Sequence, residues 1–294
     1  PAIGKLENLE YLFIANGEIE TLPDELANLK SLTDVEVYNC PKMTQFPMAL
    51  AKLPEMISLN ISNNSQWSAE EVYKGLDAIA NGPAKEKLQI LYVRDNNLRE
   101  VPESFRNLKK IGLLDLAQNQ IETIHPLGKE VAPVKLYFDN NKLTSLPADG
   151  NGLFCTMDDI ETFSATYNKF TKFPNIFSAK SKFTIGEVDF SYNEIDGFEG
   201  EEDGTFRGLN IEQLSLAANK FTKFPKCLGT TGSLVAYIIL RGNMIDEIPE
   251  GSFSGKYSTS MTSLDLTYNK LSKLPKDFTA EQLPYLYELD VSFN

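Results

Sequence analysis

Side chains that could act as nucleophiles or metal ligands are few in this sequence. It contains a single histidine, His125, and three cysteines, Cys40, Cys155 and Cys227, which lie far apart along the chain. Covalent catalysis needs a nucleophile beside a base, and zinc sites need cysteine or histidine ligands at short repeated spacings. Neither pattern occurs, and no glycine-rich phosphate-binding motif is present. We therefore expect no enzyme activity, no metal site and no cofactor in this chain.

Side chains suited to binding recur at a regular spacing. Tyr92, Asp115 and Tyr137 follow one another at steps of 23 and 22 residues, and Arg94 and Asp139 stand two residues after the two tyrosines. Tyrosine and arginine are enriched in binding hot spots, and a carboxylate can hold a guanidinium group in place. A second aromatic set near the N-terminus consists of Tyr11, Phe13 and Tyr38. These residues form a site only if the fold brings the repeated positions together.

The overall charge limits which classes of binding partner are expected. The 294 residues carry a formal net charge of −13, which argues against nucleic acid because phosphate binding needs clustered lysine and arginine. The acidic balance suits a basic protein partner, and it also suits plain solubility. No run of residues approaches the roughly 18 apolar residues of a membrane span, so we expect no membrane insertion by this segment.

An internal repeat organises the whole sequence. The segment Leu88-x-x-Leu91-x-Val93-x-x-Asn96-x-Leu98 has an eleven-residue pattern that occurs about twelve times, at a mean step of about 25 residues. The apolar fourth and sixth positions are two residues apart, so on a strand they point to one face. The third, fifth and seventh positions then point to the opposite face. Stacking the repeats predicts a parallel sheet with one buried face and one solvated face.

The ninth position of the pattern is nearly always asparagine, so stacked repeats would place these side chains in a row, here called the ladder. An asparagine side chain can both donate and accept hydrogen bonds, as the backbone of a buried turn requires. We therefore predict a structural asparagine ladder at Asn64, Asn96, Asn119, Asn141, Asn168, Asn193, Asn219, Asn243 and Asn269. Cys40 is the allowed alternative at this position, whereas Gly17 departs from the pattern and indicates an irregular first unit.

Taken together, these repeats resemble those of leucine-rich-repeat proteins of the typical and bacterial types. Segments such as Phe221-Thr-Lys-Phe-Pro also resemble the large leucine-rich surface proteins of gut Bacteroidota. The resemblance implies an α/β solenoid, a horseshoe with a concave parallel β-sheet and irregular, 3₁₀ or short-helical convex segments. It also implies a cell-surface or extracellular bacterial location, with the cytoplasm as the alternative.

We expect residues 1–294 to form a single domain of about twelve repeats. We also expect this domain to be monomeric and to be a fragment of a longer chain. One helical insertion is expected near 68–80, where Ser68 and Glu71 form a capping box. This helix could simply cover the core, or it could dock a partner on the convex side.

Three functions remain open. The first is a binding scaffold whose concave face presents Tyr92, Arg94, Asp115, Tyr137 and Asp139 to a protein partner, with Tyr11, Phe13 and Tyr38 as secondary candidates. The second is a glycan-binding module, because tyrosine rings beside carboxylates also suit sugars. The third is a structural spacer, since cross-strand tyrosines can simply stabilise a sheet.

Overall fold

The computed structural model describes residues 2–128, 130–147, 159–176, 184–200, 210–230, 234–254, 260–276 and 278–294. The chain divides into two compact units, Pro1–Lys142 (unit 1) and Leu143–Asn294 (unit 2). Within each unit, every strand pairs in parallel with the strand of the next repeat. That the repeats form one domain stays a prediction.

Unit 1 contains six short strands and one α-helix. The strands are β1 (Tyr11–Ala15), β2 (Asp34–Tyr38), β3 (Ser58–Asn60), β4 (Ile90–Tyr92), β5 (Leu113–Asp115) and β6 (Lys135–Tyr137). Helix α1 spans Ala69–Asn81, and 3₁₀ turns span Ala2–Lys5, Asp24–Asn28, Met48–Lys52, Pro83–Glu86 and Glu103–Asn107. The sequence predicted such 3₁₀ and short-helical segments between the strands.

The described part of unit 2 contains six further strands. They are β7 (Asp159–Ser164), β8 (Thr184–Asp189), β9 (Asn210–Ser215), β10 (Leu234–Ile239), β11 (Ser263–Asp265) and β12 (Glu288–Asp290). A short helix, α2, spans Cys227–Thr230. Strands β7 to β10 are six residues long, twice the length of β3 to β6, because pairing among these four strands begins before the third position of the repeat.

The leucine-rich-repeat fold expected from the sequence is confirmed. Twelve parallel strands lie in the described residues, and each contains the fourth-position residue around which a strand was predicted. Fourth- and sixth-position side chains such as Leu91 and Val93 are fully buried. Burying each apolar side chain contributes about 1.5–3 kcal/mol, so the stacked repeats make one another stable.

Asparagine side chains join each repeat to the one before it. The Oδ1 of Asn119 accepts hydrogen bonds from the backbone N–H groups of Asn96 and Leu98, each at 3.0 Å. Its Nδ2 donates to three carbonyl oxygens, those of Val93, Leu116 and Ala117. All nine asparagines of the predicted ladder are buried. Each amide thereby supplies partners to backbone groups that water cannot reach.

The ladder continues through Cys40 with a weaker side chain. Its thiol approaches the carbonyl oxygens of Ile14 and Tyr38 at 3.4 and 3.5 Å, and its backbone N–H donates to Oδ1 of Asn64. Burial raises the pKa of this thiol above its ordinary value, which favours the neutral donor form. Cys40 therefore serves as a hydrogen-bonding core residue.

The residue before each ladder position has a left-handed backbone. In unit 1 these eighth-position residues are Asn16, Asn39, Asn63, Asp95, Gln118 and Asn140, and in unit 2 they are Tyr167, Tyr192, Ala218, Gly242, Tyr268 and Phe293. Their φ angles run from 49° to 70°. Asparagine and glycine adopt this conformation readily, whereas aromatic side chains do so at a cost. The two units therefore adopt the same left-handed backbone at this position but carry different side chains there, mostly polar in unit 1 and mostly aromatic in unit 2.

Helix α1 packs against the 3₁₀ turns of the neighbouring repeats. Ser68 caps its first turn in a capping box with Glu71, and Val72, Leu76 and Ile79 are buried. Trp67 precedes the cap, donates its indole N–H to the carbonyl of Met43 at 2.8 Å and is itself buried. The inserted residues thus extend the core.

We predict that Asn119→Ala lowers the free energy of unfolding by about 1–3 kcal/mol, because it leaves buried backbone donors and acceptors unpaired. Urea unfolding followed by circular dichroism measures this change. The matched control is Gln120→Ala at the adjacent exposed position, for which we expect a change within about 0.5 kcal/mol. An equally small loss for Asn119→Ala would show that water replaces the ladder bonds.

Candidate functional site

The solvated face of the strands in each unit, here called the open face, consists of the third, fifth and seventh positions of every repeat. Strand register places fifth-position residues side by side, with Tyr92 opposite Asp115 and Asp115 opposite Tyr137. Neighbouring parallel strands are about 4.8 Å apart, so these three side chains occupy one continuous patch. Tyr92 and Tyr137 are half-buried and keep solvent-accessible surface.

Two charged residues flank this patch at the seventh positions. Arg94 follows β4 and Asp139 follows β6, and the repeat between them has Ala117 at the corresponding position. The Nε atom of Arg94 lies 3.6 Å from Oδ2 of Asp115, and the arginine side chain remains 45% exposed. Arg94 is therefore paired with one carboxylate and still faces solvent.

Asp115 has a structural role that the sequence pattern did not reveal. Its Oδ1 accepts a hydrogen bond from the backbone N–H of Ala117 at 3.1 Å, and its side chain is only 7% exposed. Fifth-position residues in other repeats bond the N–H two residues later in the same way, namely Asn60, Asp189, Asp265 and Asp290. Asp115 therefore stabilises the turn after the strand through this hydrogen bond, and it positions Arg94 through the ion pair.

Burial also controls the ionisation of Asp115. Desolvation raises the pKa of its carboxyl group, whereas the Ala117 hydrogen bond and the Arg94 charge lower it and the Asp139 charge raises it. The net shift is upward, so the folded protein holds a proton on Asp115 more tightly than the unfolded chain does.

The secondary aromatic candidates lie on β1 and β2. The rings of Tyr11 and Phe13 are 6.4 Å apart, and both are more than half exposed. Tyr38 lies at the seventh position of the next repeat, and its hydroxyl accepts a hydrogen bond from Nδ2 of Asn63 at 3.1 Å. Tyr11 and Phe13 thus form an aromatic pair, whereas Tyr38 is hydrogen-bonded to the following repeat.

A cavity on the open face of unit 2 escaped the sequence analysis. It measures about 410 Å³ and is lined by Glu161, Thr162, Gly186, Glu187, Glu212, Gln213 and Tyr237. A Cβ atom at Gly186 would lie 2.4 Å from the carbonyl oxygen of Glu161, so only glycine fits there. Thr162, Glu187, Gln213 and Tyr237 stand at third positions of the repeat, whereas Glu161, Gly186 and Glu212 stand at second positions, outside the alternating open-face pattern. The pattern alone therefore did not indicate a cavity.

The groups that could do chemistry are dispersed. Within the described ranges, no three histidine, cysteine, aspartate or glutamate side chains are grouped so that they could bind a metal ion. His125 is half-exposed, with Nε2 3.9 Å from the carboxylate of Glu100, and Cys227 is buried as a thiol outside any disulfide. Cys155 lies outside the described residues. In the part of the chain that the structure covers, no helix is long and apolar enough for a bilayer span.

Known proteins resemble this chain over most of its length. The Leucine Rich Repeat family model matches residues 87–108. A leucine-rich repeat protein from Bacteroides thetaiotaomicron VPI-5482 superimposes with a TM-score of 0.85 at 36% identity, covering 100% of this chain and 38% of the other. One from Bacteroides eggerthii DSM 20697 gives a TM-score of 0.80 at 39% identity, covering 92% of this chain and 45% of the other. Human lumican is 26% identical over an alignment of 266 positions that covers 81% of this chain and 74% of lumican.

This chain therefore spans less than half the length of either Bacteroides protein.

We predict that Asp115→Asn leaves the free energy of unfolding at pH 7 equal to or above that of the wild type, because asparagine keeps the acceptor and removes a buried charge. Asp115→Ala should lower it by about 1–3 kcal/mol, since the Ala117 N–H loses its partner. As the pH falls through the raised pKa, the wild-type carboxyl becomes neutral and wild-type stability should rise relative to Asp115→Asn. Urea titrations between neutral and acidic pH test this; a difference that widens in favour of Asp115→Asn at low pH contradicts it.

Proposed function

We propose that this leucine-rich-repeat protein, which resembles those of Bacteroides, is a non-catalytic binding scaffold whose open face binds a protein partner. The observation that carries the proposal is the register of β4, β5 and β6, which gathers Tyr92, Asp115 and Tyr137 into one patch beside Arg94. Large rigid rings beside a held guanidinium have the composition of binding hot spots.

The roles within the patch differ. Tyr92 and Tyr137 supply apolar area and hydroxyl groups, and each has two side-chain torsions to order on binding, so they bind at small entropic cost. Arg94 supplies a directional cation whose geometry Asp115 fixes beforehand. Asp139 supplies a second carboxylate at the edge of the patch. Tyr11, Phe13 and Tyr38 would extend contact to the first two repeats of unit 1.

We expect Tyr92→Ala and Tyr137→Ala each to weaken binding by about 2 kcal/mol, roughly thirtyfold, while the melting temperature changes little because both side chains point away from the core. Partners are first sought with surface-protein pull-downs and a glycan array, and affinities are then measured by calorimetry. The control is Ser263→Ala, also on an open face but outside the patch.

Two outcomes decide against the protein-binding patch. If the protein binds glycans but no protein, and both tyrosine variants lose that glycan binding, the patch is a glycan site. A protein whose affinity is unchanged in both tyrosine variants and falls with Lys74→Glu, an exposed substitution on α1, would move the site to the inserted helix.

We also propose that the protein works at the bacterial cell surface or outside the cell. The similarity to Bacteroides leucine-rich-repeat proteins supports this location. We expect the gene that encodes this segment to encode a secretion or lipoprotein signal as well. A full-length gene without either signal would favour the cytoplasm.

A further inference from the structure

The left-handed eighth positions of unit 2 carry exposed aromatic rings where unit 1 carries polar side chains. Tyr167 and Tyr192 stack at 4.2 Å with an interplanar angle of 6°, and Tyr268 and Phe293 stack at 4.3 Å with an angle of 10°. All four rings are about half exposed or more. Because asparagine suits this backbone better, tyrosine is present here against local conformational preference.

Two small residues interrupt this row of rings. Ala218 and Gly242 occupy the eighth positions of the two repeats between Tyr192 and Tyr268. A Cβ atom built on Gly242 would meet no atom closer than 3.7 Å, the backbone nitrogen of Ala218. The row therefore consists of two stacked pairs with an open gap between them, here called the rim gap.

The walls of the rim gap are chemically distinct. One wall is the outer face of Tyr192. On the other side, Cζ of Arg241 lies 4.9 Å from the centroid of the Tyr268 ring, so a guanidinium covers that ring and faces the gap. Both walls favour the face of an aromatic ring, the tyrosine by stacking and the arginine by cation–π attraction.

The width of the rim gap fits one ring. Three repeat spacings separate Tyr192 from Tyr268, or about 14 Å at the usual strand spacing. Subtracting the 4.9 Å taken up by Arg241 leaves roughly 9–10 Å between the tyrosine ring and the guanidinium. A ring at the centre would lie about 5 Å from each wall, within the range of both interactions.

Charge on the adjoining open face indicates what should flank that ring. At the third, fifth and seventh positions of β7 to β12, the single cation is Arg241 and the five carboxylates are those of Glu187, Asp189, Asp265, Glu288 and Asp290. The cavity of about 410 Å³ on the same strands adds Glu161 and Glu212 to its lining. This excess of negative charge attracts a cationic partner and repels an acidic one.

We infer that unit 2 binds a protein segment in which an aromatic side chain is flanked by lysine or arginine. The aromatic ring enters the rim gap between Tyr192 and Arg241, over Ala218 and Gly242, and the basic side chains meet the carboxylates of the open face. A pyranose would also stack on Tyr192, but it offers no π electrons to the guanidinium and no positive charge to the carboxylates. This surface shares no residue with the patch around Tyr92.

A peptide of sequence KKWKK carrying fluorotryptophan, titrated with the whole chain at low salt and followed by fluorine NMR, tests the inference. We expect a Kd below about 1 mM for KKWKK, and at least tenfold weaker binding of KKAKK when it is added as an unlabelled competitor of the fluorotryptophan peptide. Ala218→Tyr should place a ring in the rim gap next to Tyr192 and weaken KKWKK binding at least tenfold. The matched control is Gln118→Tyr, which adds a ring at the same repeat position of unit 1 and should leave the affinity unchanged.

A second variant separates docking from stability. Tyr192→Asn installs the residue type that unit 1 uses at this backbone conformation. We expect at least fivefold weaker binding of KKWKK with an unchanged or higher melting temperature. A lower melting temperature with unchanged affinity would assign the stacked rings to stability and overturn the inference.

Other outcomes also overturn it. KKWKK affinity that is unaffected by Ala218→Tyr, or equal affinity for KKAKK, would exclude the rim gap. Maltoheptaose binding that exceeds KKWKK binding and is lost in Ala218→Tyr would make the gap a sugar site. Peptide binding that is lost in Tyr92→Ala but kept in Ala218→Tyr would belong to unit 1, leaving the proposed function standing and this inference overturned.

Discussion

The hydrogen bonds of the ladder asparagines are the interaction on which the rest of this structure depends. Every repeat must turn its backbone into the core directly after a strand, and the peptide groups in that turn cannot reach water. A buried amide such as Asn119 bonds five of these groups at once, in its own repeat and in the preceding one. Because each amide reaches the preceding repeat, the ladder fixes repeat spacing and strand register together. The side-by-side placement of Tyr92, Asp115 and Tyr137 is a consequence.

A second constraint acts at the strand ends and limits which positions can vary. The fifth-position carboxylate or amide often bonds the N–H two residues later, and the eighth-position residue takes a left-handed backbone. An aspartate at the fifth position is therefore not by itself a sign of ligand binding. The third and seventh positions carry neither constraint, and the eighth position varies in residue type from asparagine to tyrosine despite its left-handed backbone. Arg94, Asp139, Arg241 and the aromatic rim of unit 2 all lie at seventh or eighth positions.

The two units use that freedom differently. Unit 1 combines half-buried tyrosines with a held arginine and has a polar rim, which suits a mixed polar and aromatic contact. Unit 2 combines an aromatic rim with an acidic open face, which suits a basic segment bearing a ring. Since each repeat contacts only its neighbours, a solenoid can change its surface chemistry from one stretch to the next without changing its core.

The sequence by itself determined the fold, because the pattern that specifies it is local. The spacing of Leu91, Val93 and Asn96 within one repeat is enough to predict a strand, its buried face and its turn, and the same signal recurs along the chain. The sequence also placed Tyr92, Asp115 and Tyr137 in one row, since equal positions of successive repeats must lie side by side. It did not show that Asp115 is buried and bonded to Ala117, that Tyr167 stacks on Tyr192, or that a cavity forms above Gly186. Those features depend on side-chain directions and on contacts between residues about 25 positions apart. Only the tertiary structure decides them, because burial, ring stacking and gap width are properties of neighbouring repeats taken together and no single repeat encodes them.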